Sequence, residues 1–319
     1  MKILIFGAGV IGTTYAWQLS ATGHEVTVFV RKGSPAIAEG QSFHIRCKDE
    51  REKPPKTTEL DFRPTVIDVL APDHDYELIV VCVRAQQLDD VLPVLAQNTG
   101  KADILFFGNN WWGEEKIRSF LPAEKYLFGF SRLVGGWRIV NEINCIFFDN
   151  PELATMLGEP GGRRTARLEK LRGLFEQARL RPVVSQDILG WLSIHYVEFL
   201  GVIGAILKAG SYNAFVSNSG LVKEAILATR EALDICKTRG IDFKKAAPSN
   251  IRVVQSTPVF VLTPLIQAQY KMPSIKQFFE ENIEHGIAEI RLQYSDVISE
   301  GRRLGVNMPH LEGFANYFQ

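Results

Sequence analysis

The residues best suited to chemistry stand at the start of the chain. Gly7-Ala8-Gly9-Val10-Ile11-Gly12 follows the apolar run Lys2–Phe6 and leads into Thr13–Thr22, which has helical character as far as Gly23. Glycines at this spacing, between a strand and a helix, make a phosphate cradle. The first permits a tight turn, the second lets backbone approach a pyrophosphate, and the third lets the helix pack on the strand. Backbone N–H groups and the positive end of the helix dipole then face the anion. Gly7, Gly9, Val10, Ile11 and Gly12 are therefore the expected pyrophosphate-binding residues; the competing reading is a purely structural glycine turn.

The end of the next strand, Val26–Val30, decides which dinucleotide fits. An acidic residue there takes the ribose 2′-hydroxyl of NAD. This chain instead continues into Arg31 and Lys32. Two cations suit a 2′-phosphate, so NADP(H) is the expected cofactor and Arg31 its phosphate ligand. The competing reading is a pair of solvated loop cations.

Holding such a loop takes alternating strands and helices. Glu77–Val83 reads as a third strand, Ala85–Gln97 as a helix kinked or broken at Pro93, and Ile104–Phe107 as a fourth strand. The alternation implies βαβ units and a parallel sheet, an α/β fold of Rossmann-like type. Lys48–Lys56, charged and containing Pro-Pro, reads as an exposed loop. Tyr126–Glu159 reads as added strands, some antiparallel. After Pro182–Ser185 the chain becomes mostly helical. Ser219–Arg239 stops at Gly240, Pro258, Pro264 and Pro273 break the following region, and Ile283–Leu304 is an amphipathic helix with Gly305 just beyond it. The expected organisation is a Rossmann domain over 1–185 and a mostly α-helical substrate and dimerisation domain over 186–319; a homodimer is compatible with it, and the sequence does not fix the oligomeric state.

The totals exclude several function classes. The chain has 319 residues, 46% of them apolar, and a formal net charge of zero, so nothing favours nucleic acid as a partner. Cys47, Cys82, Cys145 and Cys236 form no CxxC pair and join no histidine at ligand spacing, so no metal site is expected. The glycine pattern interrupts the N-terminal apolar run too early for a signal peptide, and a cytoplasmic address is expected. Ile188–Gly210 has the length of a membrane span but carries Ser193, His195, Glu198 and Lys208. A buried core helix fits it better, and no membrane partner is expected.

At this point the chain resembles the ketopantoate reductase (2-dehydropantoate 2-reductase) family. GAGVIGTTYAWQLSATGHEVTVFVR is similar to the family's opening motif and its second-strand arginine. VCVRAQQLDDVLPVL resembles its V-K-A-x-Q segment, with Arg84 in place of lysine and Gln87 at the glutamine. FGNNWWGEE resembles QNGLGNEE and aligns Asn109 with the asparagine near nicotinamide and substrate. AEIRLQYSDVISEGRRLGVNMP resembles the T-E-I-D segment and the family's ending, which puts Glu289 at the active-site glutamate. MPSIKQFF resembles P-S-M-L-Q-D and makes Ser274 a substrate contact, although its spacing to Glu289 is longer than the family's.

The resemblance implies NADPH-dependent reduction of a 2-keto acid, with hydride from the nicotinamide and a proton for the carbonyl oxygen. The family's proton donor is a lysine in a motif like W-x-K-L-x-x-N. Aligned on Trp191, this chain has Ser193 at the lysine and Val197 at the asparagine. It is similar to a divergent member that lacks the catalytic lysine. Ser193 then becomes a substrate contact, while Asn109 and Glu289 remain the catalytic candidates. Two positions along a helix are ~200° apart, so His195 points away from the Ser193 face, and Glu198 is its natural partner. Ser193, Val197, Gly201, Gly204 and Lys208 make a face of mostly small residues, suited to close packing or to widening a pocket. Trp111 and Trp112 either pack under their loop or wall the substrate space. The expected function is an oxidoreductase acting on a small carbonyl or hydroxy compound other than ketopantoate. The alternative is a non-catalytic NADP(H)-binding sensor or regulatory protein on the same fold.

Overall fold

The structure, a computed structural model, describes residues 1–34 and 42–319, apart from the side chains of Ser249, Ser274 and Asn282. It is mixed α/β and divides into two compact units, Met1–Leu189 and Gly190–Gln319.

Among the described residues the first unit has twelve strands: β1 (Lys2–Phe6), β2 (Glu25–Phe29), β3 (Phe43–Asp49), β4 (Lys56–Phe62), β5 (Thr65–Ile67), β6 (Leu78–Val81), β7 (Asp103–Phe107), β8 (Tyr126–Ser131), β9 (Val134–Ile139), β10 (Glu142–Phe147), β11 (Thr155–Gly158) and β12 (Pro182–Val184). Its helices are α1 (Val10–Ala21), α2 (Leu88–Gln97), α3 (Glu115–Arg118) and α4 (Ala166–Gln177). The larger sheet runs β12-β11-β8-β7-β6-β1-β2-β5. From β5 to β8 all neighbours are parallel, whereas β11 runs antiparallel to β8. Those six parallel strands follow the Rossmann order, whose direction of winding reverses between β1 and β6. Buried on both faces, β1 and β6 are continuous apolar runs, KILIF and LIVV.

The strands expected within Tyr126–Glu159 are β8 to β11, with β9–β10 and β8–β11 antiparallel; that β9 and β10 join β3 and β4 in a second sheet, β4-β3-β10-β9, was not expected. The charged stretch read as an exposed loop is the turn that closes the β3–β4 hairpin: Lys48 and Asp49 end β3, Lys56 begins β4, and Lys53–Lys56 are exposed. The Arg51 side chain is the exception, nearly buried, with its guanidinium 3.7 Å from the Phe147 ring centroid and paired with Asp49 at 2.7 Å. Helix α1 packs against both sheets. On the large-sheet side Tyr15 donates to Ser131 Oγ at 2.9 Å, lies 2.5 Å from Thr155 Oγ1, and meets Phe107 edge-on.

The second unit is helical: α5 (Ile188–Val197, entering from the first unit), α6 (Leu200–Ala209), α7 (Tyr212–Ser217), α8 (Ser219–Thr238), α9 (Phe243–Ala246), α10 (Ser249–Ser256), α11 (Val259–Tyr270), α12 (Pro273–Arg303) and α13 (Pro309–Glu312). Pro93 and Pro264 lie inside α2 and α11, whereas Pro258 and Pro273 stand at the expected breaks, Pro258 just before α11 and Pro273 opening α12. At the first helical position its missing N–H would have had no partner anyway.

The stretch Ile188–Ala209 has the length and hydropathy of a membrane span, yet 83% of its most apolar window is buried in the fold. A turn at Glu198–Phe199 divides it. Its small residues serve packing. A Cβ on Gly201 would lie 2.5 Å from the Ala225 carbonyl oxygen of α8 and 2.6 Å from Thr229 Oγ1, and one on Gly204 would meet the Phe314 ring. The pocket-widening reading of these two glycines is thereby corrected. Gly201→Ala is expected to destabilise the protein by about 1–3 kcal/mol through overpacking against α8 backbone, read from denaturant midpoints. Unchanged stability would refute so tight a crossing.

Candidate functional site

In the first unit the glycine loop joins β1 to α1. Gly7 has φ +117°, and a Cβ there would lie 2.6 Å from the Cys82 carbonyl oxygen at the end of β6. A Cβ on Gly12 would lie 2.1 Å from the Gly7 carbonyl oxygen. These two glycines let loop, helix and sheet close on one another. Gly9 caps α1, and a Cβ there would meet nothing within 4 Å. The backbone amides at the start of α1 therefore face open space at the positive end of a twelve-residue helix, and Val10 and Ile11 form its first turn. A loop of this shape suits an anion at the helix start. Burial pushes the Cys82 thiol beside it up to about 12, which disfavours the thiolate.

Arg31 and Lys32 follow β2 and are exposed, with no carboxylate paired to either among the described residues. Arg84 and Gln87 lie just beyond β6. The Gln87 side chain accepts from the Arg84 backbone N–H at 3.0 Å, so it shapes the turn before α2. Asn109 lies beyond β7, in a shallow cleft with Val81, Val83, Gly108, Asn110 and Phe128. The cleft forms at the carboxyl ends of parallel strands, where open α/β sheets bind ligands. The neighbouring indoles part company: Trp111 is buried, while Trp112 is 57% exposed and is the ring available to a ligand.

One residue near this loop escaped the sequence reading. Arg138, near the end of β9, donates through Nη1 to the Ala8 carbonyl oxygen inside the glycine loop. Only the packing of the second sheet on α1 brings it there.

In the second unit Ser193 is buried, and its carbonyl oxygen accepts from Cys236 Sγ of α8 at 3.6 Å. His195 Nδ1 lies 2.5 Å from Glu198 Oε1, and the ring stacks on Trp191 with centroids 5.1 Å apart. Glu289 is half-buried on α12. Ser274 lies in the first turn of that helix, and its side chain falls outside the described residues. Tyr196 and Asp296 were missed. The Tyr196 hydroxyl donates to Asp296 Oδ2 at 2.8 Å. Burial, then Asp296, then the charge of Glu289 push this phenol well above its usual range, and burial raises the Asp296 carboxyl. The signal was helical spacing: Tyr196 is three positions from Ser193, and Asp296 is two turns from Glu289. Among the described residues no group of three or more His, Cys, Asp or Glu could hold a metal ion.

Comparison with known proteins bears on the fold and on the first unit's sequence. Residues 3–139 match the family model described as ketopantoate reductase PanE/ApbA. A 2-dehydropantoate 2-reductase of Aquifex aeolicus is 23% identical over 317 residues, covering 97% of this chain and 93% of the relative. Among solved structures, a 2-dehydropantoate 2-reductase from Geobacter metallireducens GS-15 superimposes with TM-score 0.72 at 19% identity, over 100% of this chain and 99% of that one. D-mandelate dehydrogenase in ternary complex with NADH and anilino(oxo)acetate superimposes with TM-score 0.69 at 17% identity, over 100% and 97%. The fold is that of these dehydrogenases and reductases, and residues 3–139 are similar to the ketopantoate reductase PanE/ApbA family.

Proposed function

We propose that this protein is an NADP(H)-dependent oxidoreductase of the ketopantoate reductase type that reduces a 2-keto acid or related carbonyl compound other than ketopantoate. The observation that carries the reading is the open position at Gly9 between the tightly packed Gly7 and Gly12. Further support comes from Arg31 and Lys32 where an NAD site would have an acid. In this reading Gly7, Gly9, Val10, Ile11 and Gly12 hold the pyrophosphate and Arg31 the 2′-phosphate. Arg84, Gln87 and Asn109, beyond β6 and β7, orient cofactor and substrate, with Ser193 and Ser274 as substrate contacts.

Bound NADPH supplies a hydride, and the carbonyl oxygen then needs a proton. Glu289 contacts the substrate or relays that proton. Tyr196, whose hydroxyl stays protonated beside Asp296 and near Glu289, offers a proton source on the Ser193 side of α5. The replacement of lysine by Ser193 argues against ketopantoate. The relative that carries NADH acts, by its name, on mandelate, a 2-hydroxy acid with an aromatic ring. The exposed Trp112 indole fits a substrate of that kind.

The test is a fluorescence titration with NADPH and NADH, followed by NADPH oxidation across a panel of 2-keto acids and ketones. Tighter NADPH binding, turnover of one panel member, and loss of turnover in Glu289→Gln are expected. Preference for NADH, or family-like turnover of ketopantoate, overturns the corresponding part. The Ser193 and Val197 replacements favour a second reading, a dinucleotide-binding sensor, which predicts binding with no turnover of any panel member.

A further inference from the structure

Arg138 stands where a cation has little reason to be. Its Nη1 donates to the Ala8 carbonyl oxygen and its Nε to the Val140 carbonyl oxygen, with Asn141 Oδ1 3.5 Å from Nη2. The guanidinium lies 5.8 Å from the Phe43 ring centroid. All its acceptors are neutral. The Gly7 N–H, beside the Ala8 contact, donates to the Phe29 carbonyl oxygen at 3.0 Å, which ties the loop to the end of β2, two residues before Arg31. Burial first, and the positive charge of Arg31 second, lower the Arg138 pKa. Among the described residues neither Arg31 nor Arg138 has an ion-pair partner. Two cations that repel one another, one half-buried, are unfavourable until an anion joins them.

The turn holding Arg138 is itself unusual. Val140 adopts φ +52°, a left-handed conformation that β-branched residues rarely take. That turn presents the carbonyl that fixes the Arg138 Nε, so the side chain is aimed before any ligand arrives.

We propose that Arg138 and Arg31 form a two-arginine clamp on the 2′-phosphate of the dinucleotide, and that Arg138 is a specificity-determining residue for NADP(H). The inference rests on the dinucleotide reading of the glycine loop. The pyrophosphate is met by the amides at the start of α1. Arg138 instead meets the loop at the Ala8 carbonyl oxygen, next to Gly7, whose N–H is bonded to the last residue of β2. A planar guanidinium binds phosphate through two parallel N–H···O bonds, so two arginines serve a dianion well.

The experiment is a titration of the full-length protein and of Arg31→Gln, Arg138→Gln, Arg138→Lys and the double glutamine variant, with NADPH, NADH and 2′,5′-ADP. Arg138→Gln is expected to weaken NADPH and 2′,5′-ADP binding about tenfold, a loss of ~1.4 kcal/mol, and to leave NADH nearly unchanged. Arg138→Lys should keep part of the preference, and the double variant should lose it. The NADPH-to-NADH ratio is measured within each variant, so a purely structural role for Arg138 moves both affinities together and overturns the proposal. So does an unchanged ratio, or a wild-type protein that prefers NADH; in those cases the glycine-loop reading survives. A wild-type protein that binds neither dinucleotide removes that reading and this inference with it.

Discussion

Gly9→Ala leaves the stability of the protein nearly unchanged and weakens dinucleotide binding about tenfold or more. The backbone at Gly9, φ −74° and ψ −177°, suits alanine, and the new Cβ meets no atom within 4 Å. Alanine is a poorer helix cap than glycine, by a few tenths to about 1 kcal/mol. It also restricts the unfolded chain by a comparable 0.4–1 kcal/mol or so, and the two effects largely cancel. The methyl group nevertheless projects into the space that a pyrophosphate would fill. Gly12→Ala is the contrasting variant: its Cβ collides with the Gly7 carbonyl oxygen, and both stability and binding are lost. Thermal melts paired with NADPH titration of both variants check this. If Gly9→Ala binds NADPH as well as wild type, the loop is only a structural turn.

Arg167→Ala lowers stability by about 3–5 kcal/mol, the second large effect. Glu159, after β11, is 2% exposed, and its Oε2 lies 2.5 Å from Arg167 Nη2 at the start of α4. The same guanidinium donates to the Tyr126 carbonyl oxygen at 3.0 Å and to that of Glu124, tying α4 to β8. Removing the arginine leaves a buried carboxylate with the Thr165 hydroxyl as its remaining donor. Most of the cost is therefore that of the stranded charge rather than the worth of the pair. The double variant Arg167→Met/Glu159→Leu should recover most of the loss. Urea midpoints decide it, and a drop below about 1 kcal/mol for Arg167→Ala would show that water already reaches the pair.

The sequence revealed the Rossmann core because every part of it is written locally. The glycine spacing, the apolar strands and the cations after β2 each lie within a few residues of one another. The second sheet was legible in half. Phe43, Ile45 and Cys47 alternate with His44, Arg46 and Lys48, a strand pattern with one buried face, and the structure buries those three apolar residues. The acidic and basic residues that follow hid it. Arg138 was not legible, because its partner is a backbone carbonyl far away in sequence and no spacing rule connects them. The polar cluster of the second unit lies between these cases. Tyr196 and Asp296 stand one or two turns from residues already singled out, and only the pairing between α5 and α12 was missing.

The second sheet also constrains the order in which the chain can fold. His44 on β3 pairs with Glu142 on β10, about a hundred residues later, in a parallel register. During synthesis the β3–β4 hairpin emerges early and must wait with one hydrogen-bonding edge of β3 open. Closing so long a loop is slow, and an open edge invites pairing with other chains. The charges on Arg46 and Lys48 along that strand are suited to discouraging such encounters until β10 arrives. Aggregation on the ribosome, more than loss of the finished fold, is therefore the hazard carried by substitutions that make β3 apolar on both faces.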